Sequence, residues 1–390
     1  MLNTAIAYTS EKEPVTAARE LRDQIEAGMD GGGEIDALIL FASPEYDQPA
    51  LLRAVVDTCK PKTLVGASSA GEFTSGSRGT GLACALALRS DELLFSAGVG
   101  HGVGADRQRA AQQIAKSFRG ATVTTHPHRS ALVMTDALAG YADDLVDQLT
   151  LATAGQYQFF GGGAGDDAQF RRTQVFHGTE ALSDAAVALE ILSKKPIGIG
   201  VGHGWLPAGP AMRVTEIRGS TIVSLNGEPA ADAFAHHAQE TGQAFDRSAP
   251  LPFFLHNILG VDTGSGHRLR VPLAIDQEGA VTCASAVPLH AKIHIMKTDT
   301  ASAVEAAKRA THSAVSALDG SKPKTALFFD CVATRLRIGE AFGLELDALA
   351  RELGPTASYL GCNTHGQIAR AEGQFGGFHN CTAVVCVLPE

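Results

Sequence analysis

Two histidines in glycine-rich turns have side chains suited to holding a ligand. His203 lies in a Gly-His-Gly sequence, two residues before Trp205, the single tryptophan of the chain. An imidazole at a strand end can contact a small ligand or coordinate haem iron as an axial ligand. It can also simply hydrogen-bond a backbone carbonyl in a tight turn. His365, in another glycine-rich turn, is the second candidate for an axial haem ligand.

Charged residues in comparable turns offer complementary groups for a polar ligand. Glu72 and Asp166 each follow a run of small residues. A carboxylate there can bind a ligand ammonium, or it can cap the following helix or turn, which is the more economical interpretation. Arg335 can hold a carboxylate through two parallel hydrogen bonds. An ordinary surface arginine is the alternative.

Cys331 raises the question of catalysis. A cysteine acts as a nucleophile only with a base nearby, and His365 or His379 could supply one if the fold brings them together. No nucleophile elbow or oxyanion-hole signature surrounds Cys331. We therefore expect a protein that is not an enzyme, with a cysteine-dependent hydrolase as an open alternative.

Three similar stretches of chain carry these residues. The first two share one order of parts: an apolar strand, a helix, a glycine-rich turn ending in an acid, further strands, and Gly-Val-Gly-His-Gly. The pentapeptide occurs at 98–102 and at 200–204, where it is expected to end each unit. A looser third copy has its strand at 326–330, its helix at 340–353 and Gln367 in place of the acid. Such repetition predicts a fold built from duplicated units.

Small residues in the three turns let a ligand or a second backbone approach closely. The residues that we assign to a candidate ligand site are His203, Trp205, Arg335, Glu72, Asp166, Gly66, Gly162, Gly361 and Cys331. His203 and His365 are the candidates for binding a cofactor.

The pattern of strands and helices predicts an α/β fold. A chain of 390 residues fits two domains or one large duplicated domain. Alternating apolar strands and helices favour duplicated strand–helix–strand units that form mixed sheets flanked by helices. Extra hairpins, including one that pairs 81–89 with 91–100, would add α+β character. The glycine-rich turns match neither a dinucleotide-binding motif nor a P-loop.

Composition argues against several classes of protein. The net charge is −10 and no run of Lys or Arg is present, which argues against nucleic-acid binding. Seven cysteines without a Cys-x-x-Cys spacing argue against a disulfide framework or a zinc ribbon. His290 and His294 have no third ligand at metal spacing, so no metal site is expected. With no signal peptide and no run of about 18 apolar residues, we expect a cytoplasmic protein without a membrane segment.

Five segments together resemble the FIST family of sensory domains. They are Val65-Gly66-Ala67-Ser68-Ser69-Ala70-Gly71-Glu72, Phe160-Gly161-Gly162-Gly163-Ala164-Gly165-Asp166, Gly202-His203-Gly204-Trp205, Asp330-Cys331-Val332-Ala333-Thr334-Arg335 and Phe378-His379-Asn380-Cys381-Thr382. The resemblance covers residues 36–388. It implies two modules, FIST-N at 36–228 and FIST-C at 229–390, after a strand and helix at 1–35. The chain departs from the family pattern at His365-Gly366-Gln367, where an aromatic residue and a glutamate are expected.

The resemblance implies a small-ligand-binding sensory protein in bacterial-type signal transduction. The ligands proposed for the family are small molecules such as amino acids. The signal would pass to a separate protein such as a histidine kinase or a diguanylate cyclase. One bacterial subgroup is similar to haem proteins that sense nitric oxide, which makes a b-type haem sensor the sharper alternative. A eukaryotic member is an F-box protein, so a protein-binding adaptor is a further alternative.

Overall fold

The computed structural model describes residues 2–29, 33–370 and 377–390. It consists of three units with one order of elements, and a β-rich segment is inserted into the third. The predicted α/β fold with mixed sheets and duplicated units is confirmed. The first unit contains β1 (Leu2–Thr9), α1 (Pro14–Gly28), β2 (Ala37–Ala42), α2 (Gln48–Cys59), β3 (Leu64–Ser68), β4 (Glu72–Thr74), β5 (Arg78–Gly79) and β6 (Ala83–Ser90).

The second unit repeats this order with a longer connection after its third strand. It contains β7 (Leu93–His101), α3 (Arg107–Lys116), β8 (His128–Thr135), a 3-10 turn (Ala137–Ala139), α4 (Ala142–Ala152), β9 (Gln158–Gly163), β10 (Val175–His177), β11 (Glu180–Leu182) and β12 (Ala185–Ser193).

The third unit is interrupted after its first strand, β13 (Gly198–Gly202). The inserted segment contains β14 (Leu206–Pro207), β15 (Met212–Arg218), β16 (Thr221–Leu225), β17 (Glu228–Pro229), α5 (Ala230–Thr241), α6 (Leu251–Phe254), β18 (Ile258–Asp262), β19 (His267–Arg270), β20 (Pro272–Ile275), β21 (Val281–Cys283) and β22 (Lys292–Lys297). The unit then resumes with α7 (Thr300–Ser316), β23 (Pro323–Cys331), α8 (Val332–Ile338), a 3-10 turn (Gly339–Phe342), α9 (Gly343–Leu353), β24 (Ser358–Thr364), β25 (Gln367–Arg370), β26 (Phe378–His379) and β27 (Ala383–Pro389).

The three units exchange their short hairpins in a cycle. The sheets have the orders β1-β6-β2-β3-β10-β11, β7-β12-β8-β9-β25-β26 and β13-β27-β23-β24-β4-β5. Each sheet therefore ends in a hairpin supplied by another unit, and the exchange closes the units into a ring. Each sheet has one parallel pair, formed by the second and third strands of a unit, and is otherwise antiparallel.

An apolar core lies between the three sheets. Phe41, Phe160 and Phe329 come from one sheet each and are fully buried. The ring centroid of Phe329 lies 5.7 Å from that of Phe41 and 6.4 Å from that of Phe160. Burying one such side chain contributes about 1.5–3 kcal/mol. This shared core holds the strand ends of all three units in fixed positions relative to one another.

The repeated pentapeptides belong to the first strands of the second and third units. The expectation that they end the first and second units is wrong. They cover the end of β7 and of β13. A Cβ on Gly100 would overlap the carbonyl oxygen of Ala110 in α3, and one on Gly200 would overlap that of Ala310 in α7. The glycines are there because a helix lies directly against each strand.

The predicted hairpin between 81–89 and 91–100 is also wrong. β6 pairs with β1 and β2, whereas β7 pairs with β12 in a different sheet. The short turn between β6 and β7 carries the chain from one unit to the next.

The inserted segment forms its own antiparallel sheet, in which β15 and β16 make a hairpin. It is joined to the ring by Arg270, whose Nη2 lies 2.9 Å from Oδ2 of Asp143 on α4. The predicted boundary between residues 228 and 229 falls within β17 and stays a prediction. Within the ranges that the structure describes, no helix combines the length and apolarity needed to cross a membrane.

Candidate functional site at the junction of three turns

Each unit has a glycine-rich turn after its third strand, and the three turns meet. We call residues 68–72, 163–167 and 363–367 the turn junction. Backbone N–H groups bond carbonyl oxygens of the neighbouring turns, from Ala70 to Asn363 (3.0 Å), from Gly165 to Ser68 (2.8 Å) and from His365 to Gly163 (3.0 Å). A Cβ on Gly165 would lie 2.7 Å from the nitrogen of Ala70, so only glycine fits without a shift. The small residues of the sequence motifs thus serve this backbone contact.

Glu72 braces the first turn from inside the protein. Its buried carboxylate accepts hydrogen bonds from the Ser69 hydroxyl and, at 3.0 Å, from the Leu82 backbone N–H. Burial raises the pKa of Glu72 to about 7, against these hydrogen bonds, which favour the charged form. Glu72 therefore bonds a residue of the turn before it and the residue before β6, and its capping of a following helix or turn stays a prediction.

Strand register identifies the counterparts of Glu72 in the other units. Gln367 takes its place in the third unit, where its Nε2 donates to Thr364 Oγ1 at 3.0 Å. In the second unit the place is taken by Val175, and the equivalence of Glu72 and Asp166 suggested by the sequence is wrong. The reason is the longer turn of that unit, which separates Asp166 from the strand that follows.

Asp166 holds the backbone of that longer turn. Its carboxylate accepts hydrogen bonds from the backbone N–H groups of Phe170 (3.0 Å), Arg171 (2.7 Å) and Arg172 (3.0 Å). Three such bonds satisfy most of its acceptor capacity. Asp166 therefore shapes the turn, and the neighbouring Asp167 is the acid that remains to face the junction.

Asp167, Arg335 and Asn363 lie together at the edge of the junction. Arg335 is on α8, which is anchored because the Asp330 carboxylate bonds the Cys331 N–H and the Thr334 hydroxyl. Arg335 Nη2 is 3.8 Å from Asp167 Oδ1, too long for a hydrogen bond. A Cβ on Gly71 would lie 2.7 Å from Asn363 Oδ1 and 3.2 Å from Arg335 Nε, so the glycine makes room for both.

His365 lies on the other side of the junction under an aromatic ring. Phe170 stacks on its imidazole with ring centroids 4.8 Å apart and an interplanar angle of 22°. His365 Nε2 is 3.6 Å from Asp166 Oδ1, again beyond hydrogen-bond length. Burial lowers the pKa of His365, and the nearby Asp166 opposes this only in part. The imidazole is therefore neutral at pH 7, with one nitrogen able to donate and the other able to accept.

Among the residues that the structure describes, a group of buried polar atoms at the junction and beside it has no hydrogen-bond partner. They are Asp167 Oδ1, Arg335 Nε, Asn363 Oδ1 and Nδ2, and both ring nitrogens of His365. Asn363 is only 1% exposed, so bulk water does not satisfy its amide. Buried polar groups in folded proteins are nearly always paired. This concentration of buried polar atoms makes the junction the candidate functional site.

His203 and Trp205 lie outside the junction. His203 Nε2 bonds the His267 carbonyl oxygen at 3.1 Å, and its Nδ1 accepts from the Trp205 N–H at 3.3 Å. The indole of Trp205 is buried in an apolar cluster with residues of the inserted segment such as Met296. The contacts of His203 are those of a histidine that supports a tight turn.

The candidate glycines Gly66 and Gly361 lie inside strands. A Cβ on Gly66 would overlap the carbonyl oxygen of Leu40, and one on Gly361 would overlap that of Phe328. Gly161, the residue before the candidate Gly162, has the same relation to Val133 in the second unit. These contacts are between paired strands, so they explain the glycines through packing.

Cys331 is buried beside a second cysteine. The thiol and the backbone N–H of Cys381 bond its sulfur and lower its pKa to about 7, although burial acts in the opposite direction. His379, suggested as a base, has its Nε2 3.0 Å from the Ala369 carbonyl oxygen. Across residues 2–29, 33–370 and 377–390, no group of three or more His, Cys, Asp or Glu residues could hold a metal ion.

Three residues in or beside the junction were not singled out from the sequence: Asp167, Phe170 and Asn363. Asp167 could have been noticed as the second acid of Asp166-Asp167, and Asn363 as the polar residue before His365. Phe170 carries no motif signal.

Comparison with known proteins identifies the family. The FIST N domain model matches residues 36–228 and the FIST C domain model matches residues 230–370. No curated protein matches the chain. A crystal structure of cyanuric acid hydrolase from A. caulinodans is similar, with 8% sequence identity, a TM-score of 0.36, and coverage of 100% of this chain and 99% of that one. This level of similarity supports no inference about activity. The chain belongs to the FIST family, whose domains are sensory domains of signal transduction that bind small ligands.

Proposed function

We propose that this protein is a sensor that binds a small zwitterionic molecule, such as an amino acid, at the turn junction. The observation that carries the proposal is the group of unpartnered polar atoms on Asp167, Arg335, Asn363 and His365. Leaving one buried polar group unpaired costs about 1–3 kcal/mol. A ligand that pairs several of them at once gains free energy that the protein alone does not have.

The chemistry of these groups matches a carboxylate and an ammonium. Arg335 presents a guanidinium fork, which suits a carboxylate. Asp167 is the acid left to pair with an ammonium, and burial raises its pKa while Arg335 opposes that rise. Asn363 can donate to one end of the ligand and accept from the other. The two opposite charges, now 3.8 Å apart, match the two charged ends of a short zwitterion, which would pair with both once they separate.

Haem, and with it nitric oxide sensing, is the alternative ligand, and the described residues do not fit it. An axial ligand needs a free imidazole nitrogen, but both nitrogens of His203 are engaged. His365 has free nitrogens, yet Phe170 covers its ring and Asp166 lies at its edge. A haem also needs an apolar slot, whereas the junction is polar.

We further propose that the signal passes to a separate protein, such as a histidine kinase or a diguanylate cyclase. The support is architectural. Helix α1, which lies outside the regions matched by the family models, packs against β1 and α2 of the ring, and FIST domains are sensory domains of signal transduction.

The test is a thermal shift and calorimetry screen of the twenty L-amino acids. Wild type is compared with Arg335→Lys, which keeps the charge but loses the fork, and with Arg351→Lys, a matched change on the exposed side of α9. We expect at least one amino acid to bind wild type and Arg351→Lys alike, and Arg335→Lys about tenfold to a hundredfold more weakly. No binding by any amino acid, or binding that Arg335→Lys leaves unchanged, would contradict the proposal.

A further inference from the structure

The connection in the second unit differs from its two counterparts. β3 and β4 are joined by residues 69–71, and β24 and β25 by residues 365–366. β9 and β10 are joined by residues 164–174, which we call the long turn. Since the three units otherwise repeat one another, the extra residues are an addition at the junction.

The long turn is held firmly at its base and weakly at its tip. The base begins at the backbone N–H of Phe170, which bonds the Asp166 carboxylate together with the N–H groups of Arg171 and Arg172. The tip, residues 167–169 with the ring of Phe170, touches the rest of the protein through that ring, which belongs to a residue that is 47% exposed, and through Asp167, whose distance to Arg335 is beyond hydrogen-bond length. These contacts of the tip are weaker than the hydrogen bonds that hold the base.

The backbone of the tip is also in an unfavourable conformation. Asp167 (φ 54°), Ala168 (φ 60°) and Phe170 (φ 52°) all lie in the left-handed region. Residues other than glycine rarely adopt it, and the side chains of alanine and phenylalanine cannot form the local hydrogen bonds with which asparagine and aspartate offset the strain. Strained segments of this kind persist only where the surroundings hold them. Here the surroundings are the ion pair with Arg335 and the stack on His365.

The long turn places Asp167 3.8 Å from Arg335 at the junction. Two surface depressions, of about 540 Å³ and 360 Å³, are lined by other parts of the ring, including Lys62 and Arg119 in the first and Arg22 and Cys59 in the second. At the junction itself Asp167 stands where a carboxylate would approach Arg335. The ligand and the long turn therefore compete for one guanidinium.

We propose that Asp167 is an internal counter-ion of Arg335, and that a ligand carboxylate displaces it and thereby moves the long turn. This inference rests on the proposed function, because it assigns the step by which binding at the same site becomes a change of structure. Without ligand, Asp167 compensates the charge of Arg335 and keeps Phe170 on His365. With ligand, two carboxylates cannot share the guanidinium without repulsion, so Asp167 moves to the ligand ammonium and carries the tip with it.

The charges near Asp167 act in both directions on its pKa. Burial is the largest cause and raises the pKa, Glu45 and Asp166 raise it further, and Arg335 and Lys12 lower it. Lys12 is already paired with Glu45, with Nζ 2.9 Å from Oε2. Arg335 is therefore the main cation available to Asp167, and losing it leaves Asp167 beside two other acids.

The first measurement needs no ligand. Hydrogen exchange of residues 164–174, followed by mass spectrometry, is compared in wild type, Asp167→Asn and Asp347→Asn. Asparagine tolerates the left-handed conformation as well as aspartate, so the first variant removes only the charge. Asp347 pairs with Arg78 at 2.6 Å on another surface and is the matched control. We expect about two- to fivefold faster exchange of the long turn in Asp167→Asn, as for a partly exposed ion pair, and no change in Asp347→Asn.

The second measurement uses acetate as a bare carboxylate, against chloride at equal ionic strength. If Asp167 competes for Arg335, Asp167→Asn reaches half-saturation at about two- to fivefold lower acetate concentration than wild type in thermal shift. Exchange of the long turn that is equal in wild type and Asp167→Asn would overturn the counter-ion role, whether or not a ligand binds. Faster exchange in Asp167→Asn, with no response of either protein to acetate or any amino acid, would overturn the proposed function alone.

Discussion

Replacing Glu72 with glutamine is expected to stabilise the protein above neutral pH and to change little in acid. Glu72 is fully buried. Its carboxylate bonds the Ser69 hydroxyl and the Leu82 backbone N–H, and burial still raises its pKa from the ordinary value of 4.5 to about 7. The folded protein therefore holds a proton on Glu72 under conditions in which the unfolded chain has released it.

The sign of the pH dependence follows from this difference. Because the pKa is higher in the folded state, the contribution of Glu72 is fully present below about pH 4.5 and is lost as the pH rises to about 7. One pKa unit corresponds to about 1.4 kcal/mol, so the loss in the free energy of unfolding is about 3 kcal/mol. Glutamine is neutral at every pH, so Glu72→Gln does not lose this free energy of unfolding as the pH rises.

The third unit shows that glutamine fits such a position. Gln367 donates to Thr364 Oγ1 at 3.0 Å and accepts from the Thr382 backbone N–H at 3.3 Å. Ser69 corresponds to Thr364, so Glu72→Gln can keep both contacts, with the hydroxyl acting as acceptor. The reverse change, Gln367→Glu, is the matched control and is expected to destabilise the protein at pH 8 by a similar amount.

The assay is urea unfolding of wild type, Glu72→Gln and Gln367→Glu at pH 5 and pH 8. We expect Glu72→Gln to exceed wild type by about 3 kcal/mol at pH 8 and by much less at pH 5. Comparing wild type with the variant at each pH cancels the titration of all other groups. A difference between the two proteins that does not depend on pH would refute the reasoning, since Glu72 would then titrate alike in the folded and unfolded states.

Two further experiments test the junction and the cofactor question. Gly165→Ala should lower the free energy of unfolding by about 1–3 kcal/mol, because the new Cβ would lie 2.7 Å from the backbone nitrogen of Ala70. Gly79→Ala is the control, since its Cβ would meet nothing within 4 Å and should have little effect. Equal melting temperatures of the two variants would contradict the tight contact of the turns. Haemin added to the protein should give no Soret band of an axially coordinated haem, and a band that disappears in His365→Ala or His203→Ala would restore the haem alternative.

The repeated units could be predicted from the sequence because their signals are local. Apolar runs such as 37–42 and 326–331, each followed by a helix and a glycine-rich turn, mark strand–helix–strand units wherever they occur. The capping interpretation of Glu72 and Asp166 rests on the same local reasoning, and both acids bond backbone N–H groups close by. Such contacts join residues at most a dozen positions apart.

Strand pairing could not be predicted in the same way. β6 and β7 are separated by two residues and look like a hairpin, yet they lie in different sheets. Each unit also gives its short hairpin to another unit, an exchange that leaves no trace in hydrophobic periodicity. Which edges meet depends on how three units bury one common core, and that is a property of the whole chain.

The sequence by itself determined the repeated units, the α/β class, the family and the small residues that let the turns approach. The tertiary structure decided which polar groups face one another. Asp167 comes from the second unit and Arg335 and Asn363 from the third, and only closure of the ring brings them together. His203 has the more conspicuous motif, but its nitrogens are already bonded. Whether a polar atom has a partner depends on contacts between distant segments, so the candidate site could be recognised only in the folded protein.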